Sequence, residues 1–404
     1  MQKKSNYITY AQDLTYEPQS MYLECGQGGK VCVELKELGT KRILVMGREP
    51  FLKGRDAVQF VKKLEQAGFR VFKYILRQPY SSSSDITGAL NEYLGYNCDT
   101  IVVIGGGDEI FCAKMVSAMA INGMKNPVEA EGYGKIKSDI SVLCCIGMDN
   151  STAISSNVAE FRDENTGRWI SVLSDYLVPQ IVVVDTDIAM RSYTNDSVAS
   201  ALDSLAMGIE CCLSPAGIND PSYKACARSA IRLVTDNVLA MKDDPDDGFI
   251  RKKIAVAGIY AGIAVRKTGF GYTHLAVHAL KSRFGPELGK CYCRILSAFL
   301  RENFELTKNE LADIYDSLIR DEVRPGYKVA NGIPEKFYNV ENSANAMIDL
   351  LGKLYSAAVS DDMPLPKLTK KDIHEISEEI RISAEQFGLV RVDEGTLTRI
   401  LEKI

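Results

Sequence analysis

The sequence predicts an α/β domain built on a parallel sheet, followed by an all-helical domain. Three observations carry this expectation. Short apolar runs alternate with amphipathic helical stretches through the first half, a run of three glycines joins one such strand to a helix, and strand signals fade after Asp187. A chain of 404 residues suggests two domains, because single hydrophobic cores seldom grow past about 250 to 300 residues. The boundary falls in the stretch 186–195, giving an α/β domain over residues 1–188 and a helical domain over 189–404.

The elements follow in order. Arg42-Ile43-Leu44-Val45-Met46-Gly47 reads as a buried strand, and an amphipathic helix follows near Arg55 to Ala67. Phe69 to Tyr74 reads as a second strand. After the loop Tyr80 to Ser84, Ile86 to Leu94 reads as a helix and Asp99 to Ile104 as a third strand. Further strands are expected at Ile140 to Ile146 and Gln180 to Asp185, with long helices beyond. The acidic turn Asp243 to Gly248 lacks the twelve-residue pattern of a calcium loop and reads as a solvated connection. No internal repeat is visible.

Composition narrows the partners. The hydrophobic content is 46%, enough for large cores, and the net charge of -5 is mild and evenly spread. No basic stripe with interleaved aromatics occurs, which argues against a nucleic-acid partner. The polar stretch Met1 to Glu17 has no apolar signal region, and no run of about 18 apolar residues suggests a membrane span. The 11 cysteines are scattered, odd in number and often in apolar runs such as Val142 to Ile146. Reduced thiols in a cytoplasmic protein are the expectation. The Cys211-Cys212 pair and Cys291-x-Cys293 lack zinc-ribbon spacing and read as packing.

Two features carry chemistry. The predicted strand Ile101 to Ile104 runs into Gly105-Gly106-Gly107-Asp108-Glu109, and a helix containing Lys114 follows. Glycines there let the backbone approach a ligand, and a helix start offers free amides and a positive dipole end to a pyrophosphate. The competing reading is a plain strand-to-helix turn, with Asp108 and Glu109 as helix-start residues. The second feature is His274 and His278, two of only three histidines in the chain. Spaced four apart on a helix, both rings reach one face. A metalloprotease helix would carry glutamate where Leu275 stands, so that chemistry is excluded; hydrogen-bonded core histidines remain the alternative. Asp203 is the lone charged residue between Ser197 and Ile209. Its carboxylate needs a partner against desolvation, whether a metal, His274 or an arginine.

The order of a glycine-rich turn, an aspartate in an apolar helix and Gly271-x-x-His274-x-x-x-His278 resembles the iron-containing alcohol dehydrogenase family. The resemblance extends over most of the chain, from Gly26-Gln27-Gly28 to the C-terminal helices. It implies a Rossmann-like dinucleotide-binding domain and a helical domain, the architecture shared with dehydroquinate synthase, with a divalent metal such as iron or zinc between them. The family's ligands are one aspartate and three histidines. The matching positions here are Asp203, Met207, His274 and Leu288, so two of four donors survive. His278 matches a histidine implicated in proton relay, with His274 as its catalytic companion.

For the cofactor, NAD or NADP, the resemblance points to Gly105, Gly106, Gly107, Asp108, Lys114, Gly47 and Thr152. Gly47 stands at the family's strand-end aspartate, so a 2′-phosphate is no longer repelled and Arg48 becomes its partner. Thr152 closes the segment Gly147 to Ser151 expected beside the nicotinamide, and a family lysine near the phosphates falls at about Arg168-Trp169. The implied activity is hydride exchange with a small alcohol or aldehyde by a homodimer, with a depleted metal site. Two alternatives stand beside it: a non-catalytic homologue used for binding or assembly, and a dehydroquinate synthase-like lyase.

Overall fold

The computed structural model describes residues 20–22, 28–147, 151–184, 194–215, 220–269, 271–285, 291–322, 339–359, 366–386 and 394–403. The α/β part runs β1 (Ser20–Tyr22), α1 (Gly28–Glu37), β2 (Arg42–Arg48), α2 (Glu49–Leu52), α3 (Arg55–Gln66), β3 (Arg70–Leu76) and α4 (Ser83–Gly95). It continues with β4 (Thr100–Gly105), α5 (Gly107–Asn122), β5 (Gly132–Tyr133), β6 (Val142–Gly147), β7 (Val158–Arg162), β8 (Trp169–Leu173) and β9 (Ile181–Val184). The helical part comprises α6 (Thr194–Leu213), α7 (Pro221–Asp243), α8 (Gly248–Thr268), α9 (Tyr272–Phe284) and α10 (Tyr292–Glu302). Four more follow: α11 (Phe304–Glu322), α12 (Val340–Ala358), α13 (Lys370–Gln386) and α14 (Glu394–Lys403).

The main sheet has the order β1-β9-β6-β4-β2-β3, with every pairing parallel. Both faces are covered, so its strands are continuously apolar rather than alternating. Along β4, Ile101 and Val103 join one core while Val102 and Ile104 join the other, the two-residue period of a strand. On α3, Ala57, Phe60, Val61 and Leu64 bury one face at helical spacing. Strand β4 enters next to β2 on the side opposite β3, so the chain reverses its strand order between β2 and β4. Ligands of open parallel sheets bind at the carboxyl ends of such strands.

The expected strands and helices of the first half are present to within a few residues. The hairpin β7/β8 was not expected. It joins β5 in a second sheet of order β5-β8-β7. Its strands are only five residues each, and Glu160 and Ser171 interrupt their apolar runs; its turn is readable as Asn165-Thr166-Gly167, where Gly167 takes φ 75°. The predicted domain boundary at 188/189 lies outside the described residues. No helix among the described residues is long and apolar enough to cross a membrane, and every described cysteine is a free thiol.

The two parts are joined by direct packing. Helix α9 lies on β8, where Trp169 N donates to Ser282 Oγ at 3.1 Å. Helix α8 lies on the turn at Thr152–Ile154, where Ser155 Oγ donates to Ile259 O at 2.8 Å.

Candidate functional site

At the carboxyl ends of β2 and β4 the backbone closes tightly. A Cβ on Gly47 would lie 2.5 Å from Ile104 O and 3.1 Å from Leu52 Cδ2. Gly47 is therefore a packing glycine, which corrects its expected place as the strand-end position facing a ribose. The side chain that leaves this strand end belongs to Arg48. Its guanidinium stacks over Phe51 at 5.0 Å and forms an ion pair with Glu109.

Glu109 is 1% exposed and folds back onto the glycine turn. Its Oε2 accepts from Gly106 N at 2.8 Å, and a Cβ on Gly105 would strike it. The first free amide of α5 thus already holds a carboxylate, bridged to Arg48 across the strand-order reversal. Burial pushes the Glu109 carboxyl up to about 7, against the pull of Arg48. Asp108 accepts from Ser81 N at 2.9 Å, and burial raises it too, with Lys281 and Arg48 opposing and Glu160 reinforcing.

Gly105, Gly106, Gly107 and Asp108 therefore gather where a phosphate loop belongs. Lys114 does not. Its ammonium is sealed beneath the turn, donating to Ser156 O at 2.6 Å and Val158 O at 2.9 Å. Burial lowers it to about 7. This corrects the expectation that Lys114 faces a cofactor: it supports the 152–158 segment from below. Thr152 is buried in that segment against α8, with Thr152 O facing Gly262. Of the expected nicotinamide segment, Met148 to Asn150 lie outside the described residues. Arg168, at the position of the family lysine, pairs with Glu131 at 2.7 Å instead.

The histidines form the second half of the site. His274 and His278 are buried on α9, their ring centroids 4.4 Å apart. Between them stands Glu160 of β7, a residue that sequence reasoning missed. Its Oε1 lies 2.5 Å from His274 Nε2 and its Oε2 3.1 Å from His278 Nε2. Burial pushes the Glu160 carboxyl up, but the facing His278 and His274 rings outweigh it and hold the group well below the usual carboxylate range. Burial drives His278 down to about 4, with Glu160 opposing. His278 Nδ1 meets Ser171 Oγ at 3.1 Å. The only available signal for Glu160 was a lone acid inside the apolar run Val158-Ala159-Glu160-Phe161.

Of the expected metal positions, His274 stands in a cluster of possible donors with Glu160 and His278. Asp203 lies on α6, where its charge bears on Tyr292 and Cys293, and it is outside the cluster of Glu160, His274 and His278. Met207 packs against the helical core. Leu288 lies outside the described residues. Glu210, seven residues after Asp203, caps α9 by accepting from Thr273 N at 3.2 Å and from the Tyr292 hydroxyl.

Comparison with known proteins agrees with this architecture. The 1,3-propanediol oxidoreductase structure superposes with a TM-score of 0.81 at 17% identity, covering 96% of this chain and 98% of that one. A sulfoacetaldehyde reductase from Bifidobacterium kashiwanohense in complex with NAD+ gives 0.76 at 17% identity, covering 96% of each chain. Alcohol dehydrogenase 4 of Schizosaccharomyces pombe is 26% identical over 277 residues, 67% of this chain and 64% of that protein. The NAD-dependent methanol dehydrogenase of Bacillus methanolicus is 22% identical over 276 residues, 68% of this chain and 71% of that protein. Residues 18–186 match the family model for iron-containing alcohol dehydrogenase and residues 197–361 match the model for the C-terminal part of the same family. With most of its length so matched, and with a glycine turn and a histidine helix in the family's order, the chain belongs to the iron-containing alcohol dehydrogenases.

Proposed function

We propose that the chain is an NAD(P)-dependent oxidoreductase that exchanges a hydride with a small alcohol or aldehyde between its two domains. The observation that carries this reading is Ser81, whose N–H donates to Asp108 at the glycine turn at 2.9 Å while its carbonyl accepts from Arg162 N on β7, the strand of Glu160, at 2.8 Å. The glycine crevice and the imidazole cluster are neighbours. Hydride exchange needs that adjacency, because the nicotinamide and the carbinol carbon react only at roughly 3 to 3.5 Å. The relatives whose names or structures include NAD support the cofactor class.

The crevice chemistry fits a dinucleotide. Three glycines permit close approach of a diphosphate, and the Gly106 amide at the start of α5 already satisfies an anion. Arg48 offers a cation at the strand end for a 2′-phosphate, which favours NADP. Glu109 holds both donors and must yield them. When bound, the dinucleotide supplies the hydride carrier. At the other side, the His278 ring is oriented by Ser171 at Nδ1 and presents Nε2 beside the Glu160 carboxylate, where the reacting oxygen would be met.

The test is direct. Purified protein supplied with Zn2+ or Fe2+ and either dinucleotide is expected to reduce nicotinamide with at least one short alcohol. Calorimetry showing that neither NAD(H) nor NADP(H) binds overturns the reading. Arg48→Ser is expected to weaken NADP(H) about tenfold, the worth of one charged hydrogen bond, while NAD(H) changes little; equal loss for both removes Arg48 from the 2′-phosphate role. A homodimer belongs to the same reading and is measured by light scattering. One observation favours the second reading, a non-catalytic binding or assembly protein: Glu109 sits on the donors a phosphate would use. The same titration separates the two.

A further inference from the structure

We propose that Glu160, His274 and His278 form a divalent transition-metal site, displaced from the family's aspartate-histidine set. Two imidazoles and one carboxylate are the donors that hold zinc or ferrous iron with positions left open. Here the three donor atoms lie within 4.8 Å of one another and all three residues are buried.

Both imidazole Nε2 atoms converge on the one Glu160 carboxylate. Glu160 Oε1 is buried and makes no hydrogen bond, although His274 Nε2 is 2.5 Å away. At metal-ligand lengths of about 2.1 Å, tetrahedral ligands stand roughly 3.4 Å apart. The observed separations of 2.5 Å and 3.1 Å need only a small withdrawal of the Glu160 carboxylate to reach that spacing.

The surrounding residues are placed to orient these ligands. In the β7/β8 ladder Glu160 is paired directly with Ser171. One strand supplies the carboxylate, and its partner supplies the hydroxyl that meets His278 Nδ1 at 3.1 Å. With Nδ1–H donated to Ser171, Nε2 presents its lone pair to an ion. A cavity of about 20 Å3 beside His278, lined also by Trp169, Ser171 and Glu379, has room for one water. Imidazole donors select zinc, iron or cobalt over magnesium and calcium.

As an electrophile for alcohol oxygen the ion rests on the oxidoreductase reading; as a metal site it does not. The experiment reads metal alone. Chelator-stripped full-length protein is titrated with Zn2+ and Co2+ by calorimetry, and the Co2+ form is followed by its visible absorption. One equivalent is expected to bind, weakened at least a hundredfold by Glu160→Gln and by His278→Asn, with Asp203→Asn changing affinity less than threefold. Circular dichroism confirms folding, and two independent ligand variants keep the test open if one fails to fold. Absence of binding by the wild type, or loss with Asp203→Asn while Glu160→Gln binds normally, overturns the proposal. Dinucleotide binding on the same samples separates the two readings: metal lost with dinucleotide retained sinks this site alone, and the reverse sinks the oxidoreductase alone.

Discussion

Gly262→Ala is expected to destabilise the protein by about 3 kcal/mol, the upper range for forcing a methyl into a packed contact. Gly262 faces the Thr152–Ile154 turn across the junction of the two domains. An added Cβ would lie 2.2 Å from Ser155 Oγ, 2.5 Å from Thr152 O and 3.1 Å from Ser156 N. The hydroxyl can rotate away only by giving up its bond to Ile259 O. Thr152 O is fixed more firmly, because it accepts from Ser155 N at 3.2 Å and Ser156 N at 3.0 Å. Lys114 clamps the same segment from below through Ser156 O. Replacing glycine by alanine in a helix normally gains up to about 1 kcal/mol, so the clash must exceed that gain. Gly352→Ala is the control: it stands on α12 with nothing within 4 Å and should stabilise. The single tryptophan, Trp169, sits on β8 against α9, so its fluorescence in a urea titration reports the junction. Equal stability of the two alanine variants would show that the helix and turn move apart freely.

The junction also explains what the sequence made legible. Strands β2, β4, β6 and β9 are buried on both faces, and that burial leaves continuous apolar runs that any reader of the chain can find. The hairpin β7/β8 is different. Glu160 and Ser171 face α9 while the alternate residues Ala159, Phe161, Ile170 and Val172 enter the hydrophobic core, so each strand offers only a short, interrupted apolar signal. The histidines were legible because they are rare, and their four-residue spacing does put both rings on one face. Their partner was not, because it comes from a strand more than a hundred residues earlier and is fixed only by the packing of α9 on β8.

The ligand positions were read by spacing alone. Pattern matching assigns Asp203 and Met207 to positions by spacing along α6, but spacing says nothing about which neighbours face them. Asp203 bears on Tyr292 and Cys293, and Met207 joins the apolar packing. Gly47 shows the same limit on a smaller scale. Spacing assigned it to the strand end, whereas the 2.5 Å approach of Ile104 O leaves no room there for any side chain and hands the position to Arg48.

Glu109→Gln is expected to change both stability and nucleotide affinity, each with a defined dependence on pH. The Glu109 carboxyl is raised from 4.5 to about 7, chiefly by burial. A group whose folded pKa is raised contributes stability that is fully present below its unfolded pKa and lost as pH rises through the folded value. At about 1.4 kcal/mol per unit, the shift of Glu109 from 4.5 to about 7 costs the folded chain about 3.5 kcal/mol once the group is ionised. Glutamine keeps the shape and the bond from Gly106 N without the charge. The variant is therefore expected to be more stable than wild type at pH 8 by up to about 3.5 kcal/mol and equal to it near pH 4.5, as read by urea unfolding. The same charge competes with a diphosphate for the Gly106 amide and Arg48. Wild-type affinity for NADP(H) should rise as pH falls below about 7, while the variant binds about tenfold tighter at pH 8 and loses most of that slope. A wild-type affinity that stays flat across this range, or a variant that binds more weakly, would mean that the carboxylate takes part in holding the cofactor instead of competing with it.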